Sequence, residues 1–215
     1  TLHGHLDTVA DTSPYLAPIA FNVIPVAGSV VDDDEHGQID LTDLERHLED
    51  PAVRLVTLCH VPTHGGLVNP AAEVGRRCRD AGVAFLLDAC QSVGQLPLDV
   101  DEIGCDLLTA TGRKYLRAPR GTGFLYVRPE AGDRIGAELR PLGSGGAAWD
   151  AADRISFPAD ASRFESFERN VAATLGLGVA VDYAMETGLE SIAERTAGNP
   201  FFIEEVVRAL ARSEE

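Results

Sequence analysis

Basic residues, aromatic residues and long apolar runs are scarce in this sequence. Its 215 residues include 18 Lys and Arg against 34 Asp and Glu, a formal net charge of -16. A surface this acidic repels nucleic acids and anionic membranes, so neither is expected as a partner. No apolar run approaches the about 20 residues that a membrane-spanning helix needs. The first residues also lack the charged and apolar regions of a secretory signal, and we expect a cytoplasmic protein.

The cysteines do not form paired motifs. There are 4 of them, none in a C-x-x-C arrangement, so free thiols are expected rather than a disulfide framework. Cys90 is expected to be a packing residue and not a nucleophile, because side chains alternate at the end of a strand. A G-x-x-x-x-G-K-[ST] loop is also missing, which excludes a P-loop ATPase.

A metal site is not predicted. The opening HGHLDTV resembles a strand-end motif of the di-zinc aminoacylase and peptidase family, and it would supply His5 and Asp7 as ligands. A zinc site needs about four ligands, and that family's other ligands are not recognisable downstream. The acidic segment DDDEHG lacks the ligand spacing of a calcium loop and is predicted to be a solvated turn.

Short apolar runs in the middle of the chain predict buried parallel strands. A helix with an apolar stripe separates the first two runs, with Asn69 as predicted cap, Pro70 as first helical residue and Gly82 as the end. A strand, helix, strand crossover of this kind is typical of an α/β fold with a mostly parallel sheet. The three runs are RLVTLCHV, VAFLLDA and CDLLTAT.

The part of the chain before these runs predicts a strand, a turn and a helix. The strand falls in AFNVIPVAGSVV, and the acidic turn covers residues 32–37. Leucines recur at helical spacing from Leu41 to Leu48, with Asp40 or Thr42 placed to cap the helix.

Polar residues follow each predicted strand, where ligands of parallel sheets bind. The amine of Lys114 can form a Schiff base with an aldehyde, and the carboxylate of Asp88 can keep a pyridinium nitrogen protonated. Pyridoxal 5'-phosphate needs these two contacts to act as an electron sink. On residue types alone the alternative stays open, in which Asp88 caps a helix and Lys114 is solvated.

The segment DACQSVGQLPLDVDEIGCDLLTATGRKYLRAPRGTGFLYV resembles the cofactor segment of the class V aminotransferase family. These fold-type-I pyridoxal phosphate enzymes include cysteine desulfurases, isopenicillin N epimerase-like proteins and the lyase of ergothioneine synthesis. The resemblance implies that Asp88 pairs with the pyridine nitrogen and that Gln91 hydrogen-bonds the ring hydroxyl. It also implies that Lys114 carries the Schiff base and moves the substrate's alpha proton.

Some positions depart from the family pattern. Thr111 and Arg113 stand where the family often has a Ser and a His that touch the phosphate or the ring, and both can still bind phosphate. Thr63 takes the place of a polar residue that approaches the cofactor hydroxyl. His64 is either an acid or base near the substrate or a turn residue.

The resemblance also extends to the later part of the chain. Arg163, Phe164 and Glu165 match a family motif, but Ser166 and Phe167 stand where a Gly-Thr pair would reach the phosphate of the partner subunit's cofactor. The family's upstream phosphate-binding turn and downstream small domain have no counterpart here, and weak cofactor binding is therefore expected. The family's sites are usually built at the interface of a homodimer, which the resemblance implies for this chain.

Domain boundaries follow from the extent of the resemblance. Residues 1–19 are of unclear origin, residues 20–197 form a partial large domain with three α/β/α layers, and residues 198–215 form a helical tail unrelated to the family. The predicted function is a pyridoxal phosphate enzyme core acting on an amino acid by C–S lysis, desulfuration, epimerisation or amino transfer. The residue sequence around Lys114 favours the lyase and epimerase branch of the family. The alternative is an inactive relic that acts at most as an interaction module.

Overall fold

The structure, a computed structural model, describes part of the chain. The residues described are 28–63, 67–131, 148–151, 154–156, 161–165 and 169–188. The predictions for His5 and Asp7, for most of the first strand, for His64, for Ser166 and Phe167 and for the tail 198–215 lie outside these ranges.

A mixed sheet of four strands forms the centre of the described region. The strands pair in chain order, β1 with β2 and β2 with β3 in parallel, and β3 with β4 antiparallel. The three predicted parallel strands and the α/β class with a mostly parallel sheet are therefore confirmed. The bounds are Leu55–Cys59 for β1, Ala84–Asp88 for β2, Leu107–Thr111 for β3 and Gly123–Val127 for β4.

Helices connect the parallel strands, whereas β3 and β4 are joined by a loop without a helix. In the described part of the chain, a small antiparallel hairpin and a long helix follow. The helices are α1 (Leu41–Leu48), α2 (Ala71–Ala81), α3 (Val100–Ile103) and α4 (Val171–Thr187), the hairpin consists of β5 (Ala148–Ala151) and β6 (Arg154–Ser156), and short 3-10 turns cover Pro129–Ala131 and Ala161–Phe164.

The two faces of the sheet differ in burial. Phe85 and Leu87 are fully buried against α2, together with Val74 and Cys78 of that helix. Side chains alternate along a strand, so Asp88 belongs to the opposite face. Toward the carboxyl ends of the strands this face is only partly buried, at Cys59, Asp88, Thr109 and Thr111. The carboxyl end of this more open face is where the predicted site residues lie.

The helix ends agree with the sequence analysis except at one point. Asp40 caps α1 by accepting hydrogen bonds from the backbone of Thr42 and Asp43, and Gly82 ends α2 in the left-handed region with φ of 70°, as predicted. The prediction that Asn69 caps α2 with Pro70 inside it is wrong, because α2 begins at Ala71 with Pro70 as the N-cap.

The side chain of Asn69 has a different use. Its amide donates to the Cys59 carbonyl at 2.8 Å and its oxygen accepts from the Ile39 backbone at 3.0 Å. The end of β1 is thereby fixed to the acidic turn that was predicted over residues 32–37, where Asp33 and Ile39 form an isolated bridge.

All four cysteines are free. Among the residues the structure covers, no helix has the length and apolar character needed to cross a membrane.

Candidate active site

Neighbouring strands place Cys59 and Asp88 side by side at one edge of the sheet. Cys59 is the last residue of β1 and is in register with Asp88, the last residue of β2, which in turn pairs with Thr109 of β3. All three belong to the open face because they are register partners. Asp88 therefore lies in the middle of the row, with Lys114 in the loop that follows β3.

Lys114 is electrostatically coupled to this row. Burial lowers the pKa of Lys114 from its ordinary value, and Arg113 lowers it further, whereas the charges of Cys90, Asp88 and Cys59 act in the opposite direction. Desolvation disfavours the ammonium form of an amine. Burial is therefore the main reason for the lowered pKa of Lys114, and Asp88 opposes it.

Lys114 is also the only lysine in the sequence. This fact is visible in the sequence alone and makes the amine chemically unique apart from the chain's N-terminus. A half-buried lysine with a lowered pKa carries more neutral, nucleophilic amine at a given pH than a solvated one.

The Asp88 carboxylate is held by Cys90. The backbone N–H of Cys90 donates to Oδ1 of Asp88 at 2.9 Å. Burial and the charge of Asp88 raise the pKa of Cys90 to about 12. The thiol is therefore protonated at neutral pH, which agrees with the expectation that Cys90 is not a nucleophile.

Cys59 has a related environment. Burial, followed by the charge of Asp88, raises the pKa of its thiol. Sequence reasoning missed the place of both thiols beside the carboxylate. The signal that was available for Cys90 is its spacing two residues after Asp88, which suits an Asx turn.

Gln91 and Thr63, which are both predicted to contact the cofactor, contact each other in the structure. The Gln91 amide donates to the Thr63 hydroxyl at 2.6 Å. Thr63 lies in the turn after β1 and Gln91 in the turn after β2, so this contact spans two strand ends.

The loop carrying Lys114 is shaped by backbone hydrogen bonds. Gly112 donates to the Thr122 carbonyl at 2.8 Å, and Arg117 donates to the Lys114 carbonyl at 2.9 Å. The hydroxyl of Thr111 donates to the Thr122 carbonyl at 3.4 Å. Of the two residues predicted to contact the phosphate, Arg113 directly precedes Lys114 in this loop. The other, Thr111, is bonded through its hydroxyl to Thr122.

The turn after β2 rests directly on the lysine loop. Gly94 has φ of 89°, and a Cβ added there would lie 2.8 Å from the Tyr115 carbonyl carbon and 2.9 Å from the Leu116 nitrogen. Only glycine allows this approach without strain. The backbone that follows Asp88 and the backbone that follows Lys114 are thus packed against each other.

Comparison with known proteins identifies the family. The sequence model of the aminotransferase class-V family matches residues 29–211. The chain belongs to this family. Members of the family depend on pyridoxal phosphate.

Individual relatives give a finer comparison. A probable cysteine desulfurase of Methanothermobacter thermautotrophicus is 36% identical over 168 residues, covering 76% of this chain and 40% of its own. A probable cysteine desulfurase of Synechocystis sp. is 37% identical over 162 residues, covering 74% of this chain and 37% of its own. The chain therefore spans about two fifths of the length of these relatives.

Solved structures share the fold. The apo cysteine desulfurase of Thermococcus onnurineus superposes with a TM-score of 0.65 at 28% identity, over 79% of this chain and 43% of that one. A structure described as SspA in complex with cysteine gives 0.58 at 28% identity, over 72% of this chain and 40% of that one.

The residues at the sheet edge fit the ring end of pyridoxal phosphate. A carboxylate fixed by Cys90 suits a protonated pyridine nitrogen, an amine with a lowered pKa suits the aldehyde, and the Gln91–Thr63 pair offers donors and acceptors to the ring hydroxyl. Among described residues, no group of three or more His, Cys, Asp or Glu could hold a metal ion.

Proposed function

We propose that this chain is the cofactor-binding core of a pyridoxal phosphate enzyme that acts on an amino acid. The observation that carries the proposal is the position of Asp88 at the end of β2 and of Lys114 in the loop after the neighbouring strand β3, both at the carboxyl end of the parallel strands. An amine and a carboxylate in this arrangement are the two protein groups on which such a cofactor depends.

Pyridoxal phosphate, when bound, supplies an electron sink for negative charge that develops at the substrate's alpha carbon. Asp88 holds a proton at the pyridine nitrogen, and Cys90 keeps that carboxylate oriented. Lys114 would hold the cofactor through its aldehyde and would carry the proton of the substrate's alpha carbon. Gln91 and Thr63 orient the ring through its hydroxyl.

The remaining predicted residues complete this assignment. Arg113 is proposed to bind the phosphate, since a guanidinium suits that group, with the Thr111 hydroxyl as a second contact. His64 lies outside the described residues, and its role as an acid or base near the substrate stays a prediction.

The reaction we propose is of the cysteine desulfurase type. The relatives described above are named cysteine desulfurases, and one similar structure is described as a complex with cysteine. The residue sequence around Lys114 instead favours lyases and epimerases. Each of these reactions begins at the alpha carbon of an amino acid, so the roles of Asp88 and Lys114 are the same in all of them.

The homodimer and the cytoplasmic location are also part of the proposal. The homodimer rests on the family's usual assembly, and the location is carried over from the sequence-based prediction. Sedimentation of the purified chain with and without pyridoxal phosphate tests the assembly directly, since a dimer doubles the mass.

The cofactor assignment is tested by trapping the amine. The chain is incubated with pyridoxal phosphate, reduced with borohydride and digested, and the labelled peptide is identified by mass spectrometry. Because the sequence has one lysine, we expect the label on the peptide with Lys114 and a new near-visible absorbance band before reduction.

Matched variants separate specific binding from chance reaction. Lys114→Arg retains the charge but cannot form the linkage, and it is expected to lose both the band and the label. Asp88→Asn retains the shape of the side chain and is expected to weaken binding. A label confined to the N-terminal amine would support the inactive relic instead.

A further inference from the structure

A buried hydrogen bond outside the site joins His60 to Ser92. Nδ1 of His60 lies 2.9 Å from the Ser92 hydroxyl. His60 is 7% exposed and Ser92 is fully buried at 0%. Buried polar groups are costly unless paired. The contact with His60 is the shorter of the two that the Ser92 hydroxyl makes, the other being to the Ala89 carbonyl at 3.4 Å.

His60 does not face the cofactor side of the sheet. Cys59 lies on the open face beside Asp88, whereas His60 follows it in a bend after the end of β1. His60 lines a cleft with Pro70, Ala71 and Leu98 on the side of the sheet that the helices cover. It therefore acts on the site only through other residues.

The residues around this bond belong to the two turns of the candidate site. The His60 backbone N–H donates to the Asp88 carbonyl at 3.0 Å, which extends the pairing of β1 and β2 by one residue. The Ser92 backbone N–H donates to the Ala89 carbonyl at 3.0 Å. Ser92 directly follows Gln91, and His60 lies three residues before Thr63.

We propose that His60 and Ser92 are positioning residues that hold the Thr63 turn and the Gln91 turn at the distance needed to bind the ring hydroxyl of pyridoxal phosphate. This inference rests on the proposed function for its ligand. The His60–Ser92 bond joins the two turns in the protein interior, and the 2.6 Å Gln91–Thr63 bond joins them at the surface.

The variants are chosen to keep or remove the buried bond. Ser92→Ala and His60→Leu remove it with little change in size. His60→Asn places an amide near the position of Nδ1 and is expected to restore it. Ser29→Ala is the control, because it removes another Ser–His hydrogen bond, the exposed contact of Ser29 with His47 at 3.1 Å.

The first measurement needs no cofactor. Amide hydrogen exchange is followed at His60 and Val93, whose backbone N–H groups are bonded in the two turns, and at Leu44 in α1 as a reference. Loss of one buried hydrogen bond is expected to speed exchange about 5-fold at the first two amides in Ser92→Ala and His60→Leu. Leu44, His60→Asn and Ser29→Ala are expected to stay unchanged.

The second measurement compares two ligands by equilibrium dialysis. Pyridoxal phosphate is compared with 3-deoxypyridoxal 5'-phosphate, which lacks the ring hydroxyl. Ser92→Ala is expected to lose about 5-fold in affinity for pyridoxal phosphate and none for the deoxy analogue, because one hydrogen bond is misplaced. A merely structural role would weaken both ligands equally.

The outcomes distinguish the two proposals. Unchanged exchange at His60 and Val93, or equal losses for the two ligands, overturns the positioning role. If the wild-type chain binds neither ligand, the proposed function is wrong. The ring hydroxyl of pyridoxal phosphate is then also ruled out as the group that the two turns bind. The exchange data then still decide whether the buried bond holds the turns.

Discussion

Gln91 donates its side-chain amide to the hydroxyl of Thr63 across 2.6 Å. The bond joins the turn after β1 to the turn after β2, next to the Asp88 carboxylate. Both side chains are partly exposed, so the contact adds little to stability. Its significance lies in presenting two polar groups at a fixed separation.

This relationship predicts non-additive effects on cofactor binding. Thr63→Val and Gln91→Leu are each expected to weaken pyridoxal phosphate binding by about 5-fold, which corresponds to about 1 kcal/mol for one hydrogen bond. The double variant is expected to lose less than the product of the two losses, because the residues act as a pair. Titration of the near-visible band gives the affinities. Strictly multiplicative losses would show that the two residues act independently.

The close contact at Gly94 predicts a large effect of a single methyl group. Gly94→Ala would strain a residue with φ of 89° and press Cβ against the Tyr115 backbone at 2.8 Å. We expect a loss of about 3 kcal/mol in the free energy of unfolding, together with slower labelling of Lys114.

A matched control separates backbone strain from the contact. Gly82 also has positive φ, at 70°, but a Cβ there would meet nothing within 4 Å. Gly82→Ala is expected to cost about 1 kcal/mol and to leave labelling of Lys114 unchanged. Urea denaturation measures both variants. Equal losses in stability would remove the contact with the lysine loop as the cause.

Much of the site was predictable because parallel strands end at one edge of a sheet. The polar residues after β2 and β3 were therefore expected to share one crevice, and the resemblance to the class V aminotransferase family singled out Asp88 and Lys114 among them. Neighbours that depend on tertiary packing could not be predicted in this way. The Gly94 contact with Tyr115 and the His60–Ser92 bond join segments that are far apart in sequence. No local sequence pattern predicts such contacts.

Local chemistry also misled at Asn69. An Asn before a Pro predicts a helix cap, yet its amide bridges the end of β1 and the acidic turn instead. Local propensity at a helix start is worth about 1 kcal/mol, which two tertiary hydrogen bonds can outweigh. The strand β4 runs antiparallel to β3. The two strands are joined by a loop and not by the helix that a parallel crossover needs.

The thiol beside the carboxylate predicts a specific pattern of alkylation. Burial and Asp88 raise the pKa of Cys90 to about 12, so iodoacetamide at pH about 8 is expected to modify it far more slowly than a free thiol of pKa about 8.5. Asp88→Asn removes one cause of the shift and is expected to speed alkylation. Peptide mass spectrometry follows each cysteine separately.

Cys78 supplies the internal control for this measurement. Its pKa is also raised to about 12, by burial and then by the charge of Asp106. Asp88→Asn is therefore expected to leave Cys78 unchanged. Faster alkylation of both thiols would indicate general loosening and not the loss of a local charge.

The sole lysine predicts a measurable link between pH and stability. Burial lowers the pKa of Lys114 from its ordinary 10.5, so between the two values the unfolded chain binds a proton that the folded chain does not. The contribution of Lys114 to the free energy of unfolding therefore rises with pH through that window, and below it the cost of burying the ammonium is complete. Urea unfolding across pH, compared with Lys114→Met, isolates this contribution.

The expected result is that Lys114→Met is more stable than wild type at neutral pH and that the difference shrinks as pH rises toward 10.5. Asp88→Asn removes a charge that raises the pKa of Lys114, so it is expected to move the start of this window to lower pH. Amine modification by a slow acylating reagent, read on the Lys114 peptide, should show the same displacement, with the N-terminal amine as reference. An unchanged profile in Asp88→Asn would mean that the two side chains do not interact, and the cofactor assignment would lose its physical basis.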